Sequence, residues 1–281
     1  MLLERDNMPL DNFTAIQKLR QGDHMLMEST GRSPSMVENY LRFKPNYPRK
    51  LIDFLYDDCG FSWESVIADI GSGTGTFTRL LLEKGSRVVG IEPNREMRET
   101  AERILCDEFP RFVSLDATAE NTTLSDVSIH HIVCAQSFHF FNIDKCKKEF
   151  ARILRPGGSV ALIRSRPVVD NDEFSHEYEA LVRRYSNDEG NNRTKINENL
   201  FSDFFPASSF LVFSLPDQLI LDFEALKGRM LFFSDMPALG EKGYHELIEE
   251  LEILFELYNQ SGKVVLKYKT EAYAGKLGLV G

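Results

Sequence analysis

Two acidic residues and a run of glycines form the most distinctive chemical pattern in the sequence. Asp69 lies near the end of an apolar run, Gly71, Gly73 and Gly75 follow at alternate positions, and Glu92 comes later. Glycines let a ligand approach the backbone because they have no Cβ atom, and the first N–H groups of a helix are available to bind it. An acid roughly twenty residues after such glycines accepts hydrogen bonds from ribose hydroxyls. The pattern therefore predicts a site for a ligand that contains a nucleoside.

The spacing of the glycines separates two classes of such ligands. The dinucleotide fingerprint is G-x-G-x-x-G, and its third glycine seats the helix against the strand beside a pyrophosphate. Thr76 occupies that third position here, and the glycine lies one residue earlier, at Gly75. The observed D-x-G-x-G-x-G pattern resembles the first motif of class I S-adenosylmethionine-dependent methyltransferases. A NAD-type dinucleotide oxidoreductase and a non-catalytic S-adenosylmethionine-binding protein are the alternatives.

Short apolar runs alternate with helical patterns along the chain, which is typical of an α/β fold with a mainly parallel sheet. Two short strands are also predicted late in the chain, at Phe210 to Phe213 and Gln218 to Phe223, and an alternating strand follows Lys263. The turn Arg155-Pro156-Gly157-Gly158 before a strand is frequent in class I methyltransferases. The resemblance implies a Rossmann-like, doubly wound, seven-stranded, mostly parallel sheet with an antiparallel last strand, plus a helical cap.

Three further segments carry a narrower resemblance, to the trans-aconitate methyltransferase branch. Tyr40 to Pro48 is similar to Y-x-x-x-R-P-x-Y-P, with Lys44 in place of Arg. Ala135 to Phe141 resembles A-Q-x-F-H-W-F, with Phe140 in place of Trp. Leu226 to Pro237 resembles L-x-G-R-x-x-S-x-S-Y-x-P, with Phe232 and Asp235 in place of Ser and Tyr. Members of this branch methylate small molecules, so the resemblance implies a small-molecule acceptor that carries a carboxylate or a hydroxyl.

The resemblance also implies a site for S-adenosylmethionine, with S-adenosylhomocysteine as the product. In the family, the position of Met97 lies against the adenine, and that of Asp116 bonds the adenine amino group. Lys44 can meet the methionine carboxylate, although a lysine lacks the bidentate fork of an arginine. The expected cofactor-binding residues are Tyr40, Lys44, Asp69, Gly71, Ser72, Gly73, Gly75, Glu92, Pro93, Met97, Asp116, Ala117, Ala135, Gln136 and Ser137.

The loop after the fourth strand is expected to surround the transferable methyl group. Methyl transfer is a displacement at a sulfonium, so the protein mainly aligns the nucleophile and excludes water. A hydroxyl or amine acceptor needs a base, and His139 is the titratable side chain that the motif places there, whereas a carboxylate acceptor needs none. The expected substrate-binding residues are Tyr47, His139, Phe140 and Tyr178, and Arg183 and Arg184 are candidates to meet an anionic substrate.

Composition limits the partners. The chain has 281 residues, of which 42% are hydrophobic and 27% charged, and a formal net charge of −10. An acidic surface disfavours nucleic acids and anionic membranes. The four scattered cysteines contain no C-x-x-C pair and predict neither a disulfide framework nor a metal site, and no apolar run has membrane-spanning length. We expect a cytoplasmic protein, monomeric or homodimeric, that binds no metal.

Changes of pattern along the chain predict four segments. Residues 1–48 form an N-terminal helical lid, and residues 49–165 form the cofactor-binding core. Residues 166–206 form a helical substrate cap inserted after the core, and residues 207–281 supply the strands and helices that complete the sheet.

Overall fold

A seven-stranded sheet forms the centre of the computed structural model, which describes residues 47–168, 172–186, 201, 204–206, 209–231 and 236–277. The strand order is β3-β2-β1-β4-β5-β7-β6. The strands are β1 (Val66–Ile70), β2 (Arg87–Ile91), β3 (Phe112–Leu115), β4 (Ile129–Ala135), β5 (Leu154–Pro167), β6 (Phe210–Leu221) and β7 (Val264–Gly275).

The strand directions confirm the predicted fold class. β1 pairs in parallel with both β2 and β4, whereas β7 runs antiparallel to both β5 and β6. The chain order reverses between β1 and β4, and open α/β sheets bind ligands in the crevice at the carboxyl ends of such strands. Asp69 pairs with Gly90 on one side and Val133 on the other, so it lies at this switch point.

Helices connect the strands and cover the sheet. They are α1 (Arg49–Asp57), α2 (Thr76–Glu83), α3 (Arg95–Leu105), α4 (Ile143–Ile153), α5 (Glu173–Tyr185), α6 (Phe223–Met230) and α7 (Tyr244–Tyr258). α1, α2 and α3 bury apolar side chains, such as Leu55, Leu81 and Leu105, against strand residues that include Val133 and Ala272. The 3.6-residue spacing of these apolar positions explains why these segments form helices that lie on the sheet.

A second hydrophobic cluster lies beyond the end of β5 and forms the cap. Pro167, the last residue of β5, pairs with Tyr268, so the first four residues of β7 extend past it by about 13 Å. Helices α5, α6 and α7 pack on this extension and on the paired end of β6. The shared buried residues include Phe174, Tyr178, Leu181, Leu226, Met230, Leu247, Leu251, Val264 and Leu266.

The cap therefore combines chain segments that the sequence separates. α5 belongs to the predicted insertion at residues 166–206, whereas α6, α7 and the strand ends belong to the predicted C-terminal segment, 207–281. The predicted boundary at residue 165 falls inside β5, whose pairing with β7 continues to Pro167. The predicted lid at residues 1–48 lies outside the described residues except for Tyr47 and Pro48.

One strand prediction is wrong. The segments Phe210–Phe213 and Gln218–Phe223 are not separate strands, because β6 runs without a break from Phe210 to Leu221. Pro216 lies within it and pairs with Lys269. A proline cannot donate to a ladder, but β6 is the edge strand of the sheet, where that donor is not needed. Within the described residues, no helix combines the length and the hydrophobicity needed to cross a membrane.

Candidate cofactor and acceptor site

The glycine turn after β1 packs closely against two other elements. Gly71, Gly73 and Gly75 all have positive φ, at 69°, 57° and 80°. A Cβ atom on Gly71 would lie 2.4 Å from Cβ of Ser137, and one on Gly75 would lie 2.5 Å from Cδ1 of Leu105. Other side chains would therefore be strained by backbone conformation and by contact. The turn brings bare backbone to the carboxyl edge of the sheet.

Asp69 fixes the start of the helix that follows this turn. Its side chain is 1% exposed, and Oδ2 accepts a hydrogen bond of 2.6 Å from Oγ1 of Thr78 in α2. The turn between them is also held at its start, where the N–H of Gly71 donates to the carbonyl oxygen of Ile91 at 2.8 Å. Asp69 thus connects the two ends of the glycine turn and stabilises its conformation.

Glu92 joins the glycine turn to the loop after β2. Oε2 accepts a hydrogen bond from the N–H of Gly73 at 2.9 Å, and Oε1 accepts one from the N–H of Asn94 at 2.8 Å. The side chain is only 8% exposed. Each carboxylate oxygen has a second lone pair, so Glu92 can accept further hydrogen bonds from hydroxyl groups of a ligand.

Arg98 connects the ends of β2 and β3, a role that the sequence analysis missed. From α3, Nη1 donates to the carbonyl oxygen of Glu92 at 3.0 Å, and Nη2 lies 3.0 Å from Oδ2 of Asp116. The Arg98 side chain is 13% exposed, whereas that of Asp116 is 69% exposed. An arginine one helical turn after Asn94, which caps α3, is a weak signal for such a contact, because its partner lies on another strand.

The remaining expected adenosine contacts lie in the glycine turn and around the loops after β2 and β3. Pro93 is exposed, Met97 is half-buried in the first turn of α3, and Ala117 is buried just after β3. Ser72 is half-buried, and its Oγ would lie 2.8 Å from a Cβ atom placed on Gly90 of β2.

The loop after β4 packs against the glycine turn through Ser137. Ala135 is buried, Gln136 has a φ of 62°, and Ser137 donates from Oγ to the carbonyl oxygen of Ile70 at 2.6 Å. A short 3₁₀ helix, Phe138–Phe140, follows. It leaves Phe140 71% exposed with its ring centroid 4.0 Å from that of His139, which is half-buried.

Two aromatic residues expected at the substrate, Tyr47 and Tyr178, are buried. Tyr178 is 1% exposed within the cap cluster, so we leave it out of the proposed site. Tyr47 is 7% exposed and makes an edge-to-face contact of 4.8 Å with Phe77, so it packs on the first turn of α2. Tyr40 and Lys44 lie outside the described residues.

The two arginines considered for an anionic substrate lie on α5. Arg183 is exposed, and Arg184 pairs with Glu250 of α7, which places it on the surface of the cap. Within the part of the chain that the structure describes, no cluster of three or more histidine, cysteine or acidic side chains could hold a metal ion.

Both the sequence and the fold of this chain are similar to those of known methyltransferases. Residues 68–162 match the sequence family described as "Methyltransferase domain". A solved structure from Anaeromyxobacter dehalogenans, which carries a provisional type II methyltransferase name, superimposes with a TM-score of 0.62 over 83% of this chain and 98% of its own, at 21% identity. Residues 68–162 are thus similar to a methyltransferase domain, and the described residues share the fold of the Anaeromyxobacter protein.

Curated relatives are methyltransferases by name. An uncharacterized methyltransferase of Mycobacterium tuberculosis is 36% identical over 129 residues, which cover 46% of this chain and 50% of that protein. An uncharacterized methyltransferase-like protein of Schizosaccharomyces pombe is 24% identical over 247 residues, or 85% and 93% of the two chains. The chain thus spans about half the length of the mycobacterial relative. The narrower resemblance to the trans-aconitate branch stays a prediction.

Proposed function

We propose that this protein transfers a methyl group from S-adenosylmethionine to a small-molecule acceptor. The observation that carries the proposal is the position of the Glu92 carboxylate, which is buried and bonded to the N–H of Gly73 within the glycine turn. A carboxylate held at that point can accept the two hydroxyls of a ribose. The cytoplasmic location and the small size of the acceptor belong to the same proposal.

The residues present fit an adenosine cofactor. Gly71 and Gly75 let the turn pack against the loop after β4 and against α3, because a Cβ atom on either would clash with Ser137 or Leu105. Thr76 occupies the position where the dinucleotide fingerprint has its third glycine, which favours S-adenosylmethionine over a pyrophosphate-containing ligand. Asp116 and Ala117 follow β3 at the edge where the adenine would lie, next to Met97 of α3.

S-Adenosylmethionine, when bound, supplies an electrophilic methyl group on a sulfonium. This chain would orient it with Glu92 and the glycine turn and would exclude water with the loop after β4. His139 and Phe140 lie in that loop, beyond the buried Ser137, where they can contact the acceptor. His139 would take a proton from a hydroxyl or amine acceptor.

A related fold supports the choice of cofactor. Phosphoethanolamine N-methyltransferase 2 of Haemonchus contortus, whose structure contains phosphomonomethylethanolamine and S-adenosylhomocysteine, superimposes with a TM-score of 0.50 at 15% identity, over 86% of this chain and 57% of its own. At that identity the likeness concerns the fold, and the acceptor of that enzyme is not carried over.

Calorimetric titration with S-adenosylhomocysteine tests the proposal. We expect the wild type to bind, and Glu92→Ala to weaken the affinity by about tenfold or more, since the loss of hydrogen bonds to a charged group costs about 1.5–3 kcal/mol. Glu96→Ala is the matched control, because Glu96 is exposed on the first turn of α3. A wild type that binds NAD and not S-adenosylhomocysteine would favour the oxidoreductase alternative.

Turnover separates an enzyme from a protein that only binds the cofactor. Methyl transfer from labelled S-adenosylmethionine to a panel of small acids, alcohols and amines should give a labelled product. His139→Ala should lower the turnover number more than the affinity for S-adenosylhomocysteine. Binding of the cofactor without transfer to any acceptor in a broad panel would contradict catalysis.

A further inference from the structure

A cluster of cations lies where β5 and β7 continue past the end of β4. Ala135, the last residue of β4, is level with Ile163, so Arg164 and Arg166 extend beyond the carboxyl edge formed by β1 and β4. In the antiparallel ladder, Arg164 pairs with Glu271 and Arg166 pairs with Lys269. Directly paired residues share a face of a sheet, so the four side chains converge on one side.

Glu271 is the centre of this cluster. Its Oε2 accepts hydrogen bonds from Nε of Arg164 at 2.8 Å and from Nε of Arg166 at 3.2 Å, and Nζ of Lys269 lies 2.7 Å from Oε1. Burial alone would raise the pKa of Glu271, but the three cations outweigh burial and hold its pKa below the ordinary value. The carboxylate therefore stays ionised and organises the cations around it.

The cations outnumber the carboxylate and are more exposed than it is. Three positive side chains around one negative one leave a formal charge of +2, in a chain whose net charge is −10. The side chain of Glu271 is 8% exposed and that of Arg164 is 13% exposed, whereas Arg166 and Lys269 are 44% and 28% exposed. A dissolved anion would thus meet the cations and not the carboxylate.

Aromatic contacts connect this cluster to the loop after β4. The guanidinium of Arg164 lies over the ring of Phe201 at 4.7 Å, and Phe201 contacts Phe138 with ring centroids 5.5 Å apart. The side chain of Gln136 also donates from Nε2 to the carbonyl oxygen of Ser165 at 3.1 Å. The cluster therefore adjoins the loop that contains His139.

We infer that Arg164, Arg166 and Lys269 form a subsite for a carboxylate or phosphate group of the methyl acceptor. This inference rests on the proposed function and assigns the subsite to the same crevice. Guanidinium groups bind such anions through paired, charge-assisted hydrogen bonds. Glu271 is the positioning residue, because it holds the three cations in place through Nε of each arginine and Nζ of Lys269. The acceptor would then carry an anionic group that is separate from the atom that receives the methyl group.

Calorimetry with citrate and, separately, with inorganic phosphate tests the subsite in the full chain at about 0.15 M salt, where the Debye length is about 8 Å. Each titration is made with and without S-adenosylhomocysteine. We expect the wild type to bind at least one anion, and Arg166→Gln and Lys269→Gln each to weaken that binding by about tenfold. Arg184→Gln, which removes an arginine of the cap surface, is the matched control and should bind like the wild type.

The two arms of the experiment separate the two proposals. S-Adenosylhomocysteine binding reports on the cofactor site, and it should be unchanged in all three variants because none alters a cofactor-binding residue. A wild type that binds S-adenosylhomocysteine but neither anion would overturn the subsite and leave the proposed function standing. An equal loss of anion binding in Arg184→Gln would also overturn it, because the effect would then be one of net charge. Arg166→Lys should recover part of the affinity that Arg166→Gln loses.

Discussion

Thr78 donates a hydrogen bond of 2.6 Å from Oγ1 to Oδ2 of Asp69, and both side chains are buried. The two residues flank the glycine turn, so this bond connects the carboxyl end of β1 to the first turn of α2. A buried carboxylate is costly unless hydrogen bonds satisfy it. Asp69 and Thr78 together therefore set the conformation of the turn before any ligand binds.

Replacing Thr78 by valine should destabilise the fold and weaken the cofactor site. Valine keeps the shape but removes the donor to a buried carboxylate, which costs about 1–3 kcal/mol of the free energy of unfolding. Urea denaturation of the full chain measures this cost, and titration with S-adenosylhomocysteine measures the second effect. Thr118→Val is the control, since Thr118 is exposed. Equal losses in the two variants would show that the bond to Asp69 has no special role.

Replacing Gly71 by alanine tests the close packing of the glycine turn. The new Cβ atom would lie 2.4 Å from Cβ of Ser137, so the turn or the loop after β4 must shift. Gly60→Ala is a matched control, because Gly60 also has a positive φ of 80° but no atom within 4 Å of the added Cβ. Both changes cost about 1 kcal/mol for the left-handed conformation. Only Gly71→Ala should add overpacking, of about 1–3 kcal/mol, and lower the affinity for S-adenosylhomocysteine.

Replacing Arg98 by methionine should loosen the loops after β2 and β3. Arg98 bonds the carbonyl oxygen of Glu92 and the carboxylate of Asp116, and its side chain is nearly buried. Loss of these contacts should cost about 1–3 kcal/mol and weaken S-adenosylhomocysteine binding. Arg95→Met controls for the charge, because Arg95 lies on the same helix and pairs only with Glu99 at the surface, among the contacts described here. A larger loss of affinity in Arg95→Met would contradict this role for Arg98.

Positions at the carboxyl ends of parallel strands can be predicted from the sequence. Asp69, Glu92 and Asp116 each follow or end an apolar strand run, and the carboxyl ends of parallel strands meet at one edge. Their placement along the same edge of the sheet therefore follows from parallel strands, which the alternation of strands and helices indicates. The antiparallel last strand came from the family resemblance, and the structure confirms it.

Contacts between distant segments could not be predicted in the same way. Arg164 and Glu271 are 107 residues apart in sequence, and only the pairing of β5 with β7 brings them together. Tyr178 shows the converse problem: its helix is amphipathic, but the pattern does not say which apolar surface covers it. In the structure that surface is the extension of β6 and β7, which the sequence assigned to a different segment.

Acid should destabilise the fold through His131, which lies toward the amino end of the interior strand β4, away from the carboxyl edge that carries the candidate site. Its ring stacks on Phe61 at 4.0 Å, and Nδ1 lies 2.8 Å from Oγ of Ser159. Burial, reinforced by the neighbouring His130, lowers the pKa of His131 to about 4. The unfolded chain, with an ordinary histidine pKa, therefore binds more protons than the folded chain between about pH 4 and 6.5. The free energy of unfolding therefore has its full value, as far as His131 is concerned, above this window. It falls as the pH drops through the window, by up to about 3 kcal/mol for His131.

Urea denaturation at about pH 7 and about pH 5 measures this loss. His131→Gln should lower the stability at neutral pH but show a smaller further loss on acidification than the wild type. Burial also lowers the pKa of His130, so part of the acid sensitivity should persist in the variant. The pKa of Glu149 is lowered to about 2, chiefly by its hydrogen bond with Arg152. Its contribution to stability is therefore lost only as the pH falls below the ordinary pKa of a glutamate. His176→Gln, at an exposed position of α5, is the control. If His131→Gln lost as much stability on acidification as the wild type, the buried imidazole of His131 would not be the source of the acid sensitivity.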